Sequence, residues 1–294
     1  MSFASDWLNI ETARQKIADL PAVIERLLRN TGTESLLPKE LAEGELAIVP
    51  LRPGRDATVL DFKAHPRKVG LQKREGQIRL LHDLGNIEMQ AMELAVRTLI
   101  EFPDSPVEFR EELAEIALEE ARHLTLCLDG LEELGARWGA LPVHCSLWDA
   151  VASECKDSRG SFLGRIMLVH RYMEATGLDA GEKILMRLDS VVDVKLVRSI
   201  VGTIVQEEIG HVSFGSRWYR AVCAQNGIDP HEHFARSYPE ILKRVPRTEK
   251  PALRLRTLAG FDSFENQIVV DTLAKTDFHL PRDISSKSSS ESRQ

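Results

Sequence analysis

The chain is poor in cysteine, and its four cysteines form no recognisable unit. Cys127, Cys145, Cys155 and Cys223 include no Cys-x-x-Cys pair. That excludes a disulfide scaffold and fits reduced thiols in a cytoplasmic protein, with Cys127 as a small core residue. No apolar run reaches the roughly 18 residues that a membrane-spanning helix needs, so no membrane span is expected. The opening Met1-Ser2-Phe3-Ala4-Ser5-Asp6 has no basic start followed by an apolar run, so no signal peptide is expected. There is no Gly-rich phosphate loop, no serine-nucleophile motif and no zinc-finger spacing. Basic residues are not in excess: 38 Lys and Arg against 45 Asp and Glu leave a formal net charge of −7. Such a balance argues against nucleic-acid binding as the default. One stretch runs the other way. Arg236, Lys243, Arg244, Arg247, Lys250, Arg254 and Arg256 face only Glu240 and Glu249, and read as a solvated basic face.

What the sequence has is helical periodicity. At 294 residues, 43% hydrophobic and 28% charged, it is an ordinary globular composition. Four stretches carry apolar residues at helical spacing. The first runs through Leu81, Leu84, Ala91, Met92, Ala95 and Leu99, the second through Leu113, Ile116, Cys127, Leu131 and Leu134. The third runs through Leu163, Met167 and Leu178, the fourth through Val197, Val201, Ile204, Trp218 and Val222. These are core faces. Glu88 interrupts the first; Glu120 and His123 the second; His170 and Glu174 the third; Glu208 and His211 the fourth. A single Glu-x-x-His in a Glu-rich helix is usually a solvated pair. Here, acidic and imidazole groups fall on every core face.

Glu88, Glu120-x-x-His123, Glu174 and Glu208-x-x-His211 make a Glu, Glu-x-x-His, Glu, Glu-x-x-His series, the ligand inventory of a carboxylate-bridged two-metal site between four helices. At i and i+3, a carboxylate and an imidazole share one helix face. Mixed oxygen and nitrogen donors suit Fe, Mn or Zn better than Ca or Mg. Burying four carboxylates together is prohibitive unless cations offset them. Spacing supports the same picture: 32 positions separate Glu88 from Glu120 and 34 separate Glu174 from Glu208, whereas 51 lie between His123 and Glu174. Each shorter interval fits a helix, a turn and part of a return helix; the longer one fits a crossover. Two such pairs predict a pseudo-twofold, with Glu120 and Glu208 as bridges and two ions about 3.5–4 Å apart.

The pattern resembles the ferritin-like superfamily. Ile87-Glu88-x-Gln90-Ala91-x-Glu93-Leu94, Glu119-Glu120-Ala121-Arg122-His123, Glu174-Ala175-x-Gly177-Leu178-Asp179 and Glu208-Ile209-Gly210-His211-Val212 are similar to a bacterial ferritin-like family labelled as a domain of unknown function. The similarity runs from about Leu71 to Ile228, with an echo at Ala259-Gly260-Phe261. The chain departs from that family at Asn86, where the family shows His, and at His170, where it shows Pro. More distantly it resembles the ferritin-like tRNA hydroxylase.

The expected fold is therefore all-α: a ferritin-like four-helix bundle over 71–228 with a long crossover. An N-terminal helix and extended arm occupy 1–70, with further helices over 229–284 and a disordered tail over 285–294. Residues from about Ile10 to Arg29 read as an amphipathic helix with a kink or break at Pro21. The bundle helices are expected at about Gln72–Glu101, from Ser105-Pro106 to Leu134, at Ser161–Thr176 ending at Gly177, and at Val191–Gln225. A short helix starting at Ser146, with Trp148 packed on the bundle, belongs to the crossover. Asp179–Leu188 reads as a separate short segment, and Pro230–Arg244 and Lys250–Leu273 as two terminal helices. His170 reads as a partner near the site, as a residue lining the substrate pocket, or as a satisfied buried histidine; His82 and His144 read as structural. Tyr172 points away from Glu174, about 200° round a regular helix. Gly85 and Gly215 leave room for oxygen or substrate, or for close helix packing.

The function expected is that of a di-metal carboxylate protein, with iron first and manganese second. It would be an O₂-dependent oxidoreductase or hydroxylase, with Glu88, Glu120, Glu174 and Glu208 as catalytic carboxylates and all six residues as metal ligands. It would act on a small-molecule substrate with O₂ and an electron donor. The alternatives are a tRNA- or nucleoside-hydroxylase-like enzyme and a non-catalytic metal-binding protein.

Overall fold

The apolar stripe around Leu81 and Leu99 winds into α3, Arg74–Glu101, and the stripe around Leu113 and Leu131 into α4, Val107–Glu133. The turn between them holds Pro103 and Pro106, and Pro106 takes the cap position of α4, where a missing N–H costs nothing. Helix α4 stops where Gly135 adopts φ +68°, a left-handed geometry that favours glycine. The computed structural model describes residues 2–29, 49–154, 161–247 and 249–275. The expectations for most of the extended arm and for the tail over 285–294 fall outside them. Before α3 come α1, Ser2–Leu8, and α2, Ala13–Arg29. After α4 come α5, Ser146–Glu154, in the crossover, and a third long helix of three parts: α6, Phe162–Arg165; a π-helical segment, Ile166–Met173; and α7, Glu174–Leu188. Helix α8 spans Lys195–Gln225 and ends at Gly227 with φ +64°. Helices α9, Pro230–Arg244, α10, Leu253–Leu258, and α11, Ser263–Lys275, follow as the last of the described residues.

The architecture is an all-helical crossover bundle with extra N- and C-terminal helices. Helix α3 packs along α4, the third long helix along α8, and α4 against α8. Leu81, Leu99, Leu113, Leu131, Val197 and Val222 lie in the buried interior, each stabilising the fold by about 1.5–3 kcal/mol relative to an exposed side chain. Among the described residues the backbone leaves helix for extended pairing only at an isolated parallel bridge between Val59 and Val143. That bridge ties the segment before α3 to the crossover. Trp148 is fully buried, stacks on the Arg97 guanidinium 4.5 Å from its ring centroid, and donates from Nε1 to the Leu51 carbonyl.

Three boundaries differ from the sequence expectation. The first helical region breaks at residues 9–12, not at Pro21, and α2 continues through the proline. Pro21 is exposed. Burial of Leu20, Val23 and Ile24 beside it offsets the cost of about 3 kcal/mol. Gly177 does not end the third helix, which runs on to Leu188; an interior glycine costs only about 1 kcal/mol, and Leu178 beyond it is fully buried. The region expected to be one helix over Lys250–Leu273 is instead two, broken where Gly260 takes φ +89° and the Phe261 amide returns to the Arg256 carbonyl.

Buried ion pairs tie the added segments to the bundle. Lys16 of α2, fully buried, meets Glu93 of α3, and Arg55 grips the same carboxylate with two bonds of 2.6 Å. At the other end Arg171, inside the π-helical segment, donates to Glu265 of α11 at 2.9 Å, with the rings of Tyr219, Phe234 and Phe261 around its guanidinium. Arg247 and Arg256 both pair with Asp179, and all three are buried. The basic run is thus not wholly a solvated face: two of its arginines are core residues.

Candidate metal centre

Helices α3, α4, α8 and the third long helix bring the six predicted residues to one place. Ligand-type atoms of Glu88, Glu120, His123 and Glu208 lie within 4.8 Å of one another, and so do those of Glu120, Glu174, Glu208 and His211. Glu120 and Glu208 belong to both sets. The protein thus has two glutamate/histidine clusters suited to a di-metal carboxylate site, with two carboxylates placed between them. Exposure is 3% at Glu88, 1% at Glu120, 0% at His123, 7% at Glu208 and 2% at His211. Glu174 is half-buried.

The imidazoles turn the same atom inward. His123 Nδ1 lies 3.4 Å from Glu88, 3.6 Å from Glu120 and 3.5 Å from Glu208. His211 Nδ1 lies 2.9 Å from Glu120 and 3.3 Å from Glu208. Each Nε2 meets a carboxylate from the opposite helix. His123 Nε2 is 2.7 Å from Glu207 on α8, and His211 Nε2 is 2.8 Å from Glu119 on α4. In the neutral ring this network puts the hydrogen on Nε2 and the lone pair of Nδ1 toward the cluster. A carboxylate behind a metal-binding histidine fixes its tautomer and raises its basicity. Glu119 and Glu207 were not singled out from the sequence. Their signal is the doubled acid: both motifs read Glu-Glu-x-x-His, at 119–123 and 207–211. Arg122 also pairs with Glu207.

Several inward atoms have no hydrogen-bond partner: both oxygens of Glu120, Oε2 of Glu208, and Nδ1 of His123 and of His211. Buried polar atoms are rarely left so. A lone-pair nitrogen facing carboxylate oxygens is repulsive unless a cation or a proton lies between, so the donor set fits metal. Without cations, protons have to balance the charge. Burial, with Glu120 and Glu208 adding, pushes the Glu88 carboxyl well above the usual range; burial with Glu208 and Glu120 does the same at Glu174. Burial opposes charge on the imidazoles, but the carboxylates outweigh it and raise both His123 and His211. Burial likewise opposes the Glu120 anion, and His211 and His123 overcome it and hold that carboxyl low.

The third helix reaches the cluster through its π-helical segment, which ends at Met173, one residue before Glu174. All eight of its residues are buried. Wide turns of this kind are rare and often mark functional sites. Its His170 carbonyl rests on Gly215 of α8, where an added Cβ would lie 2.0 Å from the oxygen. Gly215 is therefore a close-packing residue. At Gly85 a Cβ would come 3.2 Å from that of Cys127, again close packing; Cys127 is a buried free thiol. His170 is neither a satisfied histidine nor part of the cluster. Its Nε2 has no partner, its ring faces Phe109 and Phe214, and burial pulls its pKa down to about 3. Tyr172 points away, its hydroxyl donating to the Val245 carbonyl. His82 is structural, stacked on Trp138 and accepting from the Gly139 amide. His144 accepts from Ser146.

A cavity of about 310 Å³ opens onto the cluster, with Glu88, Glu174 and Glu208 in its wall. That is the size of a small-ligand site. No helix among the described residues is long and apolar enough to cross a membrane.

The family model described as "Protein of unknown function (DUF455)" matches residues 9–267. An uncharacterized protein of Haemophilus influenzae is 30% identical over 243 residues, 78% of each chain. No solved structure is significantly similar. Since the matched span takes in α2 through most of α11 and with them every residue of both clusters, the chain belongs to the DUF455 family and is a ferritin-like member of the all-helical proteins.

Proposed function

We propose that Glu88, Glu120, His123, Glu174, Glu208 and His211 bind two metal ions, iron or manganese, and that the protein is an O₂-dependent oxidoreductase. The observation that carries this reading is the sharing of Glu120 and Glu208 between two clusters whose Nδ1 atoms point inward unpartnered. Glu88, Glu120 and His123 serve mainly one ion; Glu174, Glu208 and His211 serve mainly the other. Iron or manganese held there would supply the redox chemistry for reducing O₂ beside a substrate. The chain's own part is to hold and exclude. Glu207 and Glu119 fix the tautomer and orientation of the imidazoles, with Nδ1 toward the cluster. The aliphatic cavity wall keeps water from the carboxylates. In a hydroxylation, O₂ and two electrons with two protons from an external reductant convert a substrate C–H to C–OH and release one water.

The test is metal analysis of protein purified without chelator, with anomalous scattering at the iron and manganese edges, followed by oxygen uptake with a reductant. Two ions per chain between the four helices are expected. Protein that takes up neither metal fails the reading, and a loaded protein that consumes no O₂ with any substrate class leaves a non-catalytic metal-binding role.

A further inference from the structure

The cavity beside the cluster changes chemistry along its length. Besides the carboxylates of Glu88, Glu174 and Glu208, its wall includes Leu84, Ile87, Met173, Ile184, Val201 and Ile204. Among the described residues that line it there is no Phe, Tyr or Trp. A nucleobase is held by stacking on aromatic faces and by hydrogen bonds along its edges, and the aliphatic side chains of this wall offer neither. A flexible aliphatic chain needs only apolar surface to leave water.

The polar end of the cavity is built from His65, Lys68, Arg79, Asp83 and His144. Most of its groups are committed to one another. Arg79 donates to Asp83 at 2.6 Å and to His65 Nδ1 at 2.9 Å. His65 Nε2 donates to the Val143 carbonyl at 3.2 Å. Two cations, Lys68 and Arg79, thus stand against one anion, Asp83. Lys68 is the loosely held cation: its ammonium is 3.4 Å from Asp83 and its side chain is 68% exposed.

We propose, resting on the di-metal reading above, that the substrate is an aliphatic acid. Its chain lies along the aliphatic wall with a C–H at the Glu88, Glu174 and Glu208 face, and its carboxylate stays at the polar end beside Lys68. The aliphatic wall favours such a chain over a nucleoside.

Calorimetry on the full chain, metal-loaded and chelated, tests this with decanoate, decanol and adenosine as probes. Decanoate should bind, decanol about two- to fivefold more weakly, the range an exposed ion pair provides, and adenosine not at all. Ala180 is a half-buried wall residue. Ala180→Phe should weaken decanoate about tenfold or more by filling the space. Lys68→Glu changes an exposed side chain and cannot unfold the bundle. It should abolish the preference for decanoate over decanol while leaving decanol binding and metal content unchanged. Adenosine binding as tightly as decanoate, decanol matching decanoate, or a Lys68→Glu protein that keeps the preference would each overturn the proposal. Metal analysis of the same samples separates the two readings. Decanoate binding without metal uptake upholds the pocket assignment and counts against the di-metal reading alone. Two ions per chain with no decanoate binding overturns the pocket assignment alone.

Discussion

The two halves of the centre carry the same side chains in the same order on different backbones. Glu88 stands in the middle of the regular helix α3 and is 3% exposed. Glu174 follows the π-helical segment and is half-buried, with part of its surface on the cavity. The histidines differ less: His123 is 0% and His211 2% exposed. Their supports differ more. Glu207, behind His123, is 32% exposed and paired with Arg122, whereas Glu119, behind His211, is 49% exposed. Binding two cations asks only for an i, i+3 pair and a facing carboxylate, which either backbone provides. Admitting a substrate asks for an opening, and the half with irregular winding carries the more open carboxylate.

The largest effect expected is loss of metal. His123→Ala and His211→Ala should each lose metal while circular dichroism shows the helical content retained, because the apolar stripes dominate stability. A variant that still held two ions per chain would break the equivalence of the halves. Next comes the clamp on the π-helical half. Glu265→Gln leaves Arg171 buried without its anion and should lower unfolding free energy by about 3–5 kcal/mol in urea titrations, with weaker metal binding at the Glu174 side. Smaller again are the carboxylates behind the histidines. Glu207→Gln and Glu119→Gln should each cost about 10- to 100-fold in metal affinity, and Glu207→Gln should cost more because Glu207 is the less exposed carboxylate and is held by Arg122. Equal losses in a metal-competition titration would count against that ranking.

The smallest effect is a pH slope. His82 on α3 is buried, and burial lowers its pKa to about 4 from an ordinary 6.5. The unfolded chain therefore binds a proton that the folded chain refuses between those values. Stability is full above about pH 6.5 and falls as pH drops toward 4, by at most about 1.4 kcal/mol per unit from this group. His82→Gln keeps an acceptor for the Gly139 amide and should flatten the slope by that amount. An unchanged slope would show that His82 is already protonated in the fold.

The clustering of these six side chains was legible in the sequence because acids and imidazoles on four apolar stripes are too costly to bury together unless they share a cation. Helix ends were legible where glycine takes a left-handed turn, at Gly135 and Gly227, and where Asp229-Pro230 starts α9: the Asp229 side chain accepts from the Glu232 amide. Other features depend on partners far along the chain. Gly177 reads as a stop until Leu178 and Asp179 beyond it are seen to be buried. Arg247 and Arg256 read as solvated until Asp179, on another helix, pairs with both. The π-helical winding has no local signature, since Ile166–Met173 is apolar enough to suit any helix. Glu119 and Glu207 look like surface acids because their exposure, 49% and 32%, is real; only the opposing histidine gives them work.

The missing carbon at Gly215 acts as a spacer gauge. The separation of the third and fourth long helices beside the cluster is set by bare backbone touching a carbonyl, so the gap is as narrow as a polypeptide permits and can be adjusted only outward. Alanine there is the thinnest shim available. Gly215→Ala would have to lift the His170 carbonyl away from a new methyl that would lie only 2.0 Å from its oxygen, and the displacement would be felt one helical turn along, at His211 and Glu174. The distance between two bound ions, read by X-ray absorption, should lengthen in that variant while the bundle stays folded. The tolerance of the centre is then written in the width of one methyl group.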